Sequence, residues 1–382
     1  MIVKIHSRCN LACDYCYMYT KGDDDWKHLP KRMSLDVAND ICAMYRSHYA
    51  GIDQSENRIR ISLGLHGGEP LLVGKQHFRR LAAVFRTGLS EFDLRLTVQT
   101  NATLVDEEWI DIFNSYGVTV AVSLDGPANA NAHRPDLKGA ESTEKVIRNI
   151  KLLATSARQF GGVIAVINPD ANGGDVVRFF SDELNLDWFD LLLPDHTYDQ
   201  LPGNWDAVSA NTLEYLKDAF DAWLPRASRS SCRFFESLIS MLCGSESFVD
   251  SLGSSGLAHI TVETDGTLEP NDVTRICNGF DRKTGMKAGA GAWKLMKSAP
   301  AYQTMVNEVG ALSSTCTRCE HVKICRGGHM THRYRLSNGF DNPSVHCSTL
   351  AGIIEHVQRG LGMLVSNSLN AARNQNIAVA RH

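Results

Sequence analysis

Residues 2–16 read IVKIHSRCNLACDYC, and the fold is read outward from them. The short β-rich run up to His6 predicts a strand. Cys9, Cys13 and Cys16 follow in a Cys-x3-Cys-x2-Cys spacing, so a loop leaving that strand carries three thiols. Iron–sulfur clusters usually take four cysteines. Three hold three irons of a [4Fe–4S] cluster and leave one iron open. An open iron can take the amino and carboxylate groups of S-adenosylmethionine (SAM). An electron from the cluster then breaks the sulfonium bond and frees a 5′-deoxyadenosyl radical. The same three thiols could belong to a zinc site, so the reading requires a SAM site at the neighbouring strand ends.

Beyond this loop the chain alternates β-rich runs with amphipathic stretches. Six strands are expected: Ile2–His6, Ile59–His66, Asp93–Gln99, Val118–Ser123, Gly162–Ile167 and Trp188–Leu193. Ser34 reads as a helix N-cap, with Val37, Ile41, Met44 and His48 at helical spacing behind it. Further helices are expected over Lys75–Thr87, Asp106–Tyr116, Ser142–Ser156 and Asp175–Leu184. Repeated βα units give a parallel sheet. Six units are too few for an eight-stranded barrel and predict a partial (β/α)6 barrel, open on one side. The expected division is a barrel over 1–200, a helical linker region over 201–257, a small α+β domain over 258–350, and a helix with a frayed tail over 351–382. The stretch 259–272 reads as a hairpin turning at Asp265-Gly266.

Bulk properties narrow the class. The chain has 382 residues, 43% hydrophobic and 21% charged, with a net charge of -4. These values fit a soluble globular protein and give no electrostatic case for nucleic acid or a membrane surface. No apolar run reaches the length of a membrane span, and no signal peptide precedes the first strand. Of the eleven cysteines, seven sit at metal-ligand spacings, the pattern of a cytoplasmic metal protein rather than a disulfide framework.

In parallel α/β folds, chemistry collects at the C-terminal ends of the strands, and the polar oddities of this chain fall there. Gly67, Gly68, Glu69 and Pro70 follow the second strand; the glycines would let the backbone approach a ligand, and Glu69 could accept hydrogen bonds from an α-ammonium. Asn101 follows the third strand. Ser123 ends the fourth, with Arg134 a few residues on. An arginine here can pair with a carboxylate through its planar fork. Tyr15, beside Cys16, could cover the adenine. Taken singly, each has a bland reading as turn, hydroxyl or solvated charge; their joint occurrence at successive strand ends selects SAM.

Here the chain resembles the radical SAM superfamily, through CNLACDYC (9–16), HGGEP (66–70), QTNA (99–102) and VSLDGP (122–127). The resemblance implies cluster ligation by Cys9, Cys13 and Cys16. It assigns the SAM amino group to Gly67, Gly68 and Glu69, and carboxylate or ribose contacts to Ser123, Arg134 and Asn101. Ala102 stands where glycine is more usual.

A second set, Cys316, Cys319, Cys325 and Cys347, could close a [4Fe–4S] cluster or hold zinc; spacing alone does not choose. The region resembles the SPASM or twitch extension of peptide-modifying radical SAM enzymes, which implies an auxiliary [4Fe–4S] cluster. Full SPASM domains hold two, but Pro270, Asn271 and Asp272 stand where one further cysteine is expected and His329 where another is. One auxiliary cluster is therefore expected, with Cys277 and His329 as a conceivable remnant site. Cys42, Cys232 and Cys243 read as buried apolar residues.

A narrower resemblance, over most of the chain and strongest in HRYRLSNGFDNPSVHC (332–347), is to FxsB-type maturases. It implies a ribosomal precursor peptide as substrate, abstraction of a side-chain β-hydrogen, and a cyclophane crosslink to an aromatic ring. A flavodoxin or ferredoxin would supply electrons. No leader-binding module is recognised at the start of the barrel. Arg226, Arg229 and Arg233 could pair with an acidic leader, though a solvated helix face is the plainer reading. The base is not readable; Asp195 and His196 sit at the right rim, while Glu263 and Asp265 read as hairpin residues. Thioether or formylglycine formation uses the same parts, and a non-catalytic iron–sulfur or zinc scaffold would leave the strand-end groups unexplained.

Overall fold

A computed structural model describes residues 1–54, 56–252 and 260–379, with the side chains of the last helix to Met363. Six parallel strands alternate with helices. They are β1 (Ile2–His6), α1 (Leu35–His48), β2 (Arg60–Gly67), α2 (Lys75–Gly88), β3 (Asp93–Thr100), α3 (Glu107–Tyr116), β4 (Val118–Ser123), α4 (Thr143–Ser156), β5 (Phe160–Val166), α5 (Gly173–Arg178) and β6 (Trp188–Leu192). Each strand pairs in parallel with the next along the chain. Apolar side chains of β1 to β6 and the facing helices form one continuous core. This is the expected partial (β/α)6 barrel.

Local signals placed the elements. Ser34 accepts the Val37 N–H and caps α1, and Asp106 accepts the Trp109 N–H and caps α3, each satisfying a backbone donor the helix cannot. The expected helix over Asp175–Leu184 divides: α5 stops at Arg178 and a π-turn runs Phe179–Glu183.

The sheet extends past the barrel on both edges. Its order is β7-β6-β5-β4-β3-β2-β1-β8-β9. At one end β7 (Ser231–Cys232), between α6 (Trp205–Trp223) and α7 (Arg233–Leu242), pairs with β6. The stretch expected as a linker thus supplies a strand. At the other end the hairpin β8 (Thr261–Val262) and β9 (Leu268–Glu269) forms at the predicted Asp265-Gly266 turn, and β8 pairs with β1; its expected first residue, 259, lies outside the described residues. Short helices α8 (Ala292–Met296), α9 (Pro300–Gly310), α10 (Ser314–Thr317) and α11 (Val322–Cys325) follow, and α10 and α11 carry two of the second cysteine set, Cys316 and Cys325. The last helix, α12 (Cys347–Val379), starts before the expected 351 and continues through most of the tail expected to fray.

Two expectations are corrected. Cys243 is exposed, since α7 ends at Leu242 and turns it to the surface, whereas Cys42 and Cys232 are buried as expected. The three arginines form no free basic face. Arg226 and Arg229 both pair with Asp182, and Arg233 with Asp190.

A buried ionic cluster joins β1 to the hairpin. Lys4, on β1 and fully buried, lies 3.0 Å from Glu263 and 3.4 Å from Asp272. Arg275 reaches Asp23 and Glu263 at 2.7 Å each and Glu269 at 3.2 Å. Buried charges persist only when paired, so these contacts fix the hairpin against the loop that follows the three cysteines.

Candidate active site

The loop after β1 crosses the C-terminal edge of the sheet and roofs a cavity of about 300 Å³. Cys9, Cys13 and Cys16 line it together with Tyr15, Gly67, Gly68, Asn101, Ser123 and Arg134. Residues from four strand ends, proposed from sequence alone, therefore share one chamber. Apolar Ile164, Val166, Leu192 and Leu193 complete its wall from β5 and β6. These four were not singled out beforehand, because nothing in a buried strand distinguishes a cavity-lining aliphatic residue from a core one.

The two glycines serve the loop more directly than expected. A Cβ on Gly67 would stand 2.1 Å from the His6 carbonyl oxygen, and one on Gly68 2.0 Å from the Tyr19 hydroxyl and 2.5 Å from the Arg8 carbonyl oxygen. The missing side chains let the cysteine loop lie on the end of β2. The Gly68 N–H donates to the His6 carbonyl and the Glu69 N–H to the Arg8 carbonyl, both at 2.9 Å.

Glu69 is buried behind the chamber. Its carboxylate accepts the Leu71 N–H at 2.9 Å, the Thr100 hydroxyl at 2.7 Å and the Asn101 N–H at 2.8 Å. Burial pushes its carboxyl up, against the pull of these three donors. Pro70, the next residue, opens a 3-10 turn and is buried. Asn101 in turn donates to the Asn10 side chain at 2.9 Å and points the same amide at the Cys9 sulfur, 3.8 Å away. Ala102 adopts a positive φ of 57°, the backbone state that makes glycine common at this turn.

On the opposite wall Tyr15, Asp125 and Arg134 interlock. The Tyr15 hydroxyl donates to Asp125 at 2.5 Å, and Arg134 donates to the Tyr15 oxygen at 2.7 Å and to the Ser123 carbonyl at 3.1 Å. Gln99 donates to the Ser123 hydroxyl at 2.8 Å. Arg134 is thus a buried cation facing the chamber, not a solvated charge. It can meet a carboxylate, and the Tyr15 ring is held at the chamber wall.

The thiols fit an iron–sulfur cluster. Burial pushes Cys9 up to about 12 and Cys13 up to about 11, so a bound metal is what would make them thiolates near neutral pH. At a Zn–S distance of about 2.3 Å, tetrahedral thiolates stand ~3.8 Å apart. Among the described residues the ligand atoms of Asp195, His329 and His332 lie within 4.8 Å of one another, but no three cysteine sulfurs do. A cubane, with several ions and sulfides between its ligands, suits the wider spacing better than one ion.

The second set is built on short helices. Ser313 caps α10 by accepting the Cys316 N–H, Cys325 ends α11, and Cys347 opens α12. Cys316, Cys319 and Cys347 all act electrostatically on Cys325, so the four thiols share one neighbourhood. Cys277 instead packs with Ile276, Met305, Met330, Tyr334 and Phe340, and His329 joins Asp195 and His332. Asp195 lines the chamber; His196 lines an adjoining cavity of about 380 Å³ and packs edge-on against Trp205. Glu263 belongs to the ionic cluster, and Asp265 caps its own turn by accepting from Thr267.

A strand-borne three-cysteine loop over the mouth of an open parallel sheet defines a class, and comparison gives its name. Residues 3–180 match the model of the radical SAM superfamily; this part of the protein is a radical SAM enzyme domain, of the kind that takes a [4Fe–4S] cluster and SAM. The particular relatives are sulfatase maturases. The chain is 24% identical over 347 residues to the cysteine-type anaerobic sulfatase-maturating enzyme of Clostridium perfringens (strain 13), covering 86% of this chain and 87% of that one. It is 21% identical over 404 residues to the serine-type enzyme of Bacteroides thetaiotaomicron, covering 100% and 94%. The fold matches the solved structure of native anSMEcpe with bound AdoMet at a TM-score of 0.81, with 20% identity over 96% of this chain and 99% of that one. The same protein with AdoMet and the Cp18Cys peptide matches at 0.80 and 20% identity, over 96% and 98%. Among the described residues no helix is long and apolar enough to cross a membrane.

Proposed function

We propose that this enzyme oxidises one side chain of a peptide by two electrons, and that its product is a formylglycine made from cysteine or serine. The supporting observation is the end-to-end likeness to cysteine- and serine-type sulfatase-maturating enzymes. It spans the barrel and the second cysteine set alike. The cluster and SAM supply a 5′-deoxyadenosyl radical that takes a hydrogen atom from the target β-carbon. The chain's own residues do the rest: Cys9, Cys13 and Cys16 hold the cluster, Arg134 meets the SAM carboxylate, the carbonyls around Gly67 and Gly68 meet its ammonium, and Ser123 and Asn101 lie within reach of the ribose. Glu69 shapes that ammonium site from behind through Thr100 and Asn101. Cys316, Cys319, Cys325 and Cys347 would hold an auxiliary [4Fe–4S] cluster able to accept the second of the two electrons the side chain loses, the first leaving with the hydrogen atom, and a flavodoxin or ferredoxin would supply the separate electron that cleaves SAM.

A cyclophane crosslink is the second reading, favoured by the terminal string HRYRLSNGFDNPSVHC. Its two ends pack inward, with His332, Arg333 and His346 buried, while the turn over 335–338 is exposed. The readings separate by product. The anaerobically reconstituted enzyme, SAM and reductant are incubated with a panel of peptides: Cp18Cys, its serine counterpart, and peptides pairing an aromatic ring with a nearby β-CH group. An aldehyde captured by a hydrazine reagent at the cysteine or serine supports formylglycine. Loss of two hydrogens with an uncleavable span between two residues supports the crosslink. Conversion of no panel member counts against both.

A further inference from the structure

Among the described residues the chamber has one carboxylate on its wall, Asp195, just past the end of β6. Its side chain is 25% exposed, whereas that of His332, from the C-terminal domain, is 3% exposed. The His332 Nε2 stands 3.0 Å from Asp195 Oδ1. The other ring nitrogen of His332, Nδ1, is buried without a hydrogen-bond partner. An unpartnered lone pair costs less there than an unpartnered N–H, so the tautomer that fits carries its proton on Nε2 and donates it to Asp195. His329 stands behind, with ring centroids 5.1 Å from those of His332 and its Nδ1 2.7 Å from the Thr331 hydroxyl. This is an oriented carboxylate–histidine pair facing the space where SAM and a target side chain must meet.

We infer that Asp195 is the proton acceptor of the oxidation and that His332 is the positioning residue that aims its carboxylate into the chamber. The inference rests on the peptide-oxidation reading above and is indifferent to which product forms. In each case the target loses a hydrogen atom to the deoxyadenosyl radical, an electron to the auxiliary iron–sulfur cluster, and a proton to Asp195. For serine or cysteine that proton leaves the hydroxyl or thiol as the C=O or C=S bond forms, with water later replacing sulfur. For a crosslink it leaves the ring carbon after the C–C bond forms.

The surrounding charges suit the role. Burial would raise the Asp195 carboxyl, but the hydrogen bond from His332 and, from the loop after β1, the Lys21 cation act against it, and the group is held below the usual carboxylate range. It therefore enters the reaction ionised. Cys277 packs near it, and His196 adjoins it in sequence. Asp272, the other carboxylate near the roof, is 1% exposed, accepts from the Tyr17 hydroxyl and pairs with Lys4.

The test uses the cluster-loaded enzyme and whichever panel peptide it converts. With Asp195→Asn, product formation falls by about a hundredfold or more, the size of a lost general base, while deoxyadenosine release in the presence of peptide stays within about threefold. With His332→Ala the ratio of deoxyadenosine to product also rises, and with His332→Gln, whose amide N–H reaches the same oxygen, the ratio returns near the wild-type value. A purely structural role would lower both quantities together. Normal product from Asp195→Asn overturns the inference and leaves the peptide-oxidation reading standing. Should no peptide be converted, nitrogen-15 NMR of labelled histidines in the holoenzyme still decides the pair. A His332 proton on Nε2 that responds to Asp195→Asn is expected, and a proton on Nδ1 alone overturns it.

Discussion

The Asn101 backbone N–H donates to the Glu69 carboxylate at 2.8 Å, and the Thr100 hydroxyl donates to the other oxygen of the same group at 2.7 Å. The loop after β3 therefore hangs on a side chain from the loop after β2. Replacing Glu69 by Gln puts an NH2 group where an acceptor stood and leaves a buried donor facing a donor. The expected cost is about 1–3 kcal/mol, read as a lower anaerobic melting temperature, with SAM affinity reduced about tenfold or more. An unchanged melting temperature would remove Glu69 from its structural role.

Gly68→Ala tests whether the glycine serves the loop. Its Cβ would meet both the Tyr19 hydroxyl and the Arg8 carbonyl. Cluster content, read from iron analysis and the visible absorbance of the reconstituted protein, is expected to fall severalfold. Adding Tyr19→Phe removes the hydroxyl but not the backbone carbonyl, so the double variant should remain deficient. Full recovery would shift the blame from backbone to side chain.

Metal content separates the readings of the second cysteine set. Two [4Fe–4S] clusters give about eight irons per chain, and a zinc site beside one cluster gives about four irons with one zinc. Cys16→Ala is expected to abolish deoxyadenosine release. Cys319→Ala should halve the iron and abolish peptide product while sparing much of the deoxyadenosine release, because the first cluster keeps its own ligands.

Much of this was legible because the chemistry announces itself at strand ends. The three-cysteine loop was found from its spacing, and Gly67, Gly68, Asn101, Ser123 and Arg134 from their places at strand ends and the family resemblance; all converge on one chamber. The six strands were legible because β-rich runs alternate with capped helices, as at Ser34 and Asp106. What escaped depends on contacts far apart in the chain. Lys4 interrupts an apolar strand, a signal that could have been taken up, but its partners Glu263 and Asp272 lie more than 250 residues away. His332 meets Asp195 across 137 positions. The two-residue strand β7 carries no period to detect. Arg226 and Arg229 look like free cations until the turn after α5 brings Asp182 between them.

Lys4 offers a direct test of the ionic cluster. Lys4→Met preserves the apolar stem but leaves Glu263 and Asp272 facing each other with one cation fewer. Removing one partner of a buried set costs about 3–5 kcal/mol. Denaturant unfolding of the cluster-loaded protein under anaerobic conditions should show it. The double change Lys4→Met with Glu263→Gln should recover part of that loss, because less uncompensated charge is left behind. No recovery would mean that Lys4 acts mainly through packing against Met18, whose sulfur lies 3.1 Å from its ammonium.

His196 sets an acid limb on stability. Burial, the largest cause, with Lys21 and His332 adding to it, pushes the ring from 6.5 down to about 4. The unfolded chain therefore binds a proton between about 6.5 and about 4 that the folded chain refuses. Stability from this group is complete above the unfolded value and is lost as pH falls through that window. His196→Asn keeps a polar side chain beside Trp205 and cannot charge. Its melting temperature should be lower than wild type at pH 7.5, where the imidazole packs uncharged, and the difference should shrink toward pH 4.5, where the wild type bears the cost of its buried imidazole. Parallel melting curves for the two proteins across that range would show that His196 is not the titrating group.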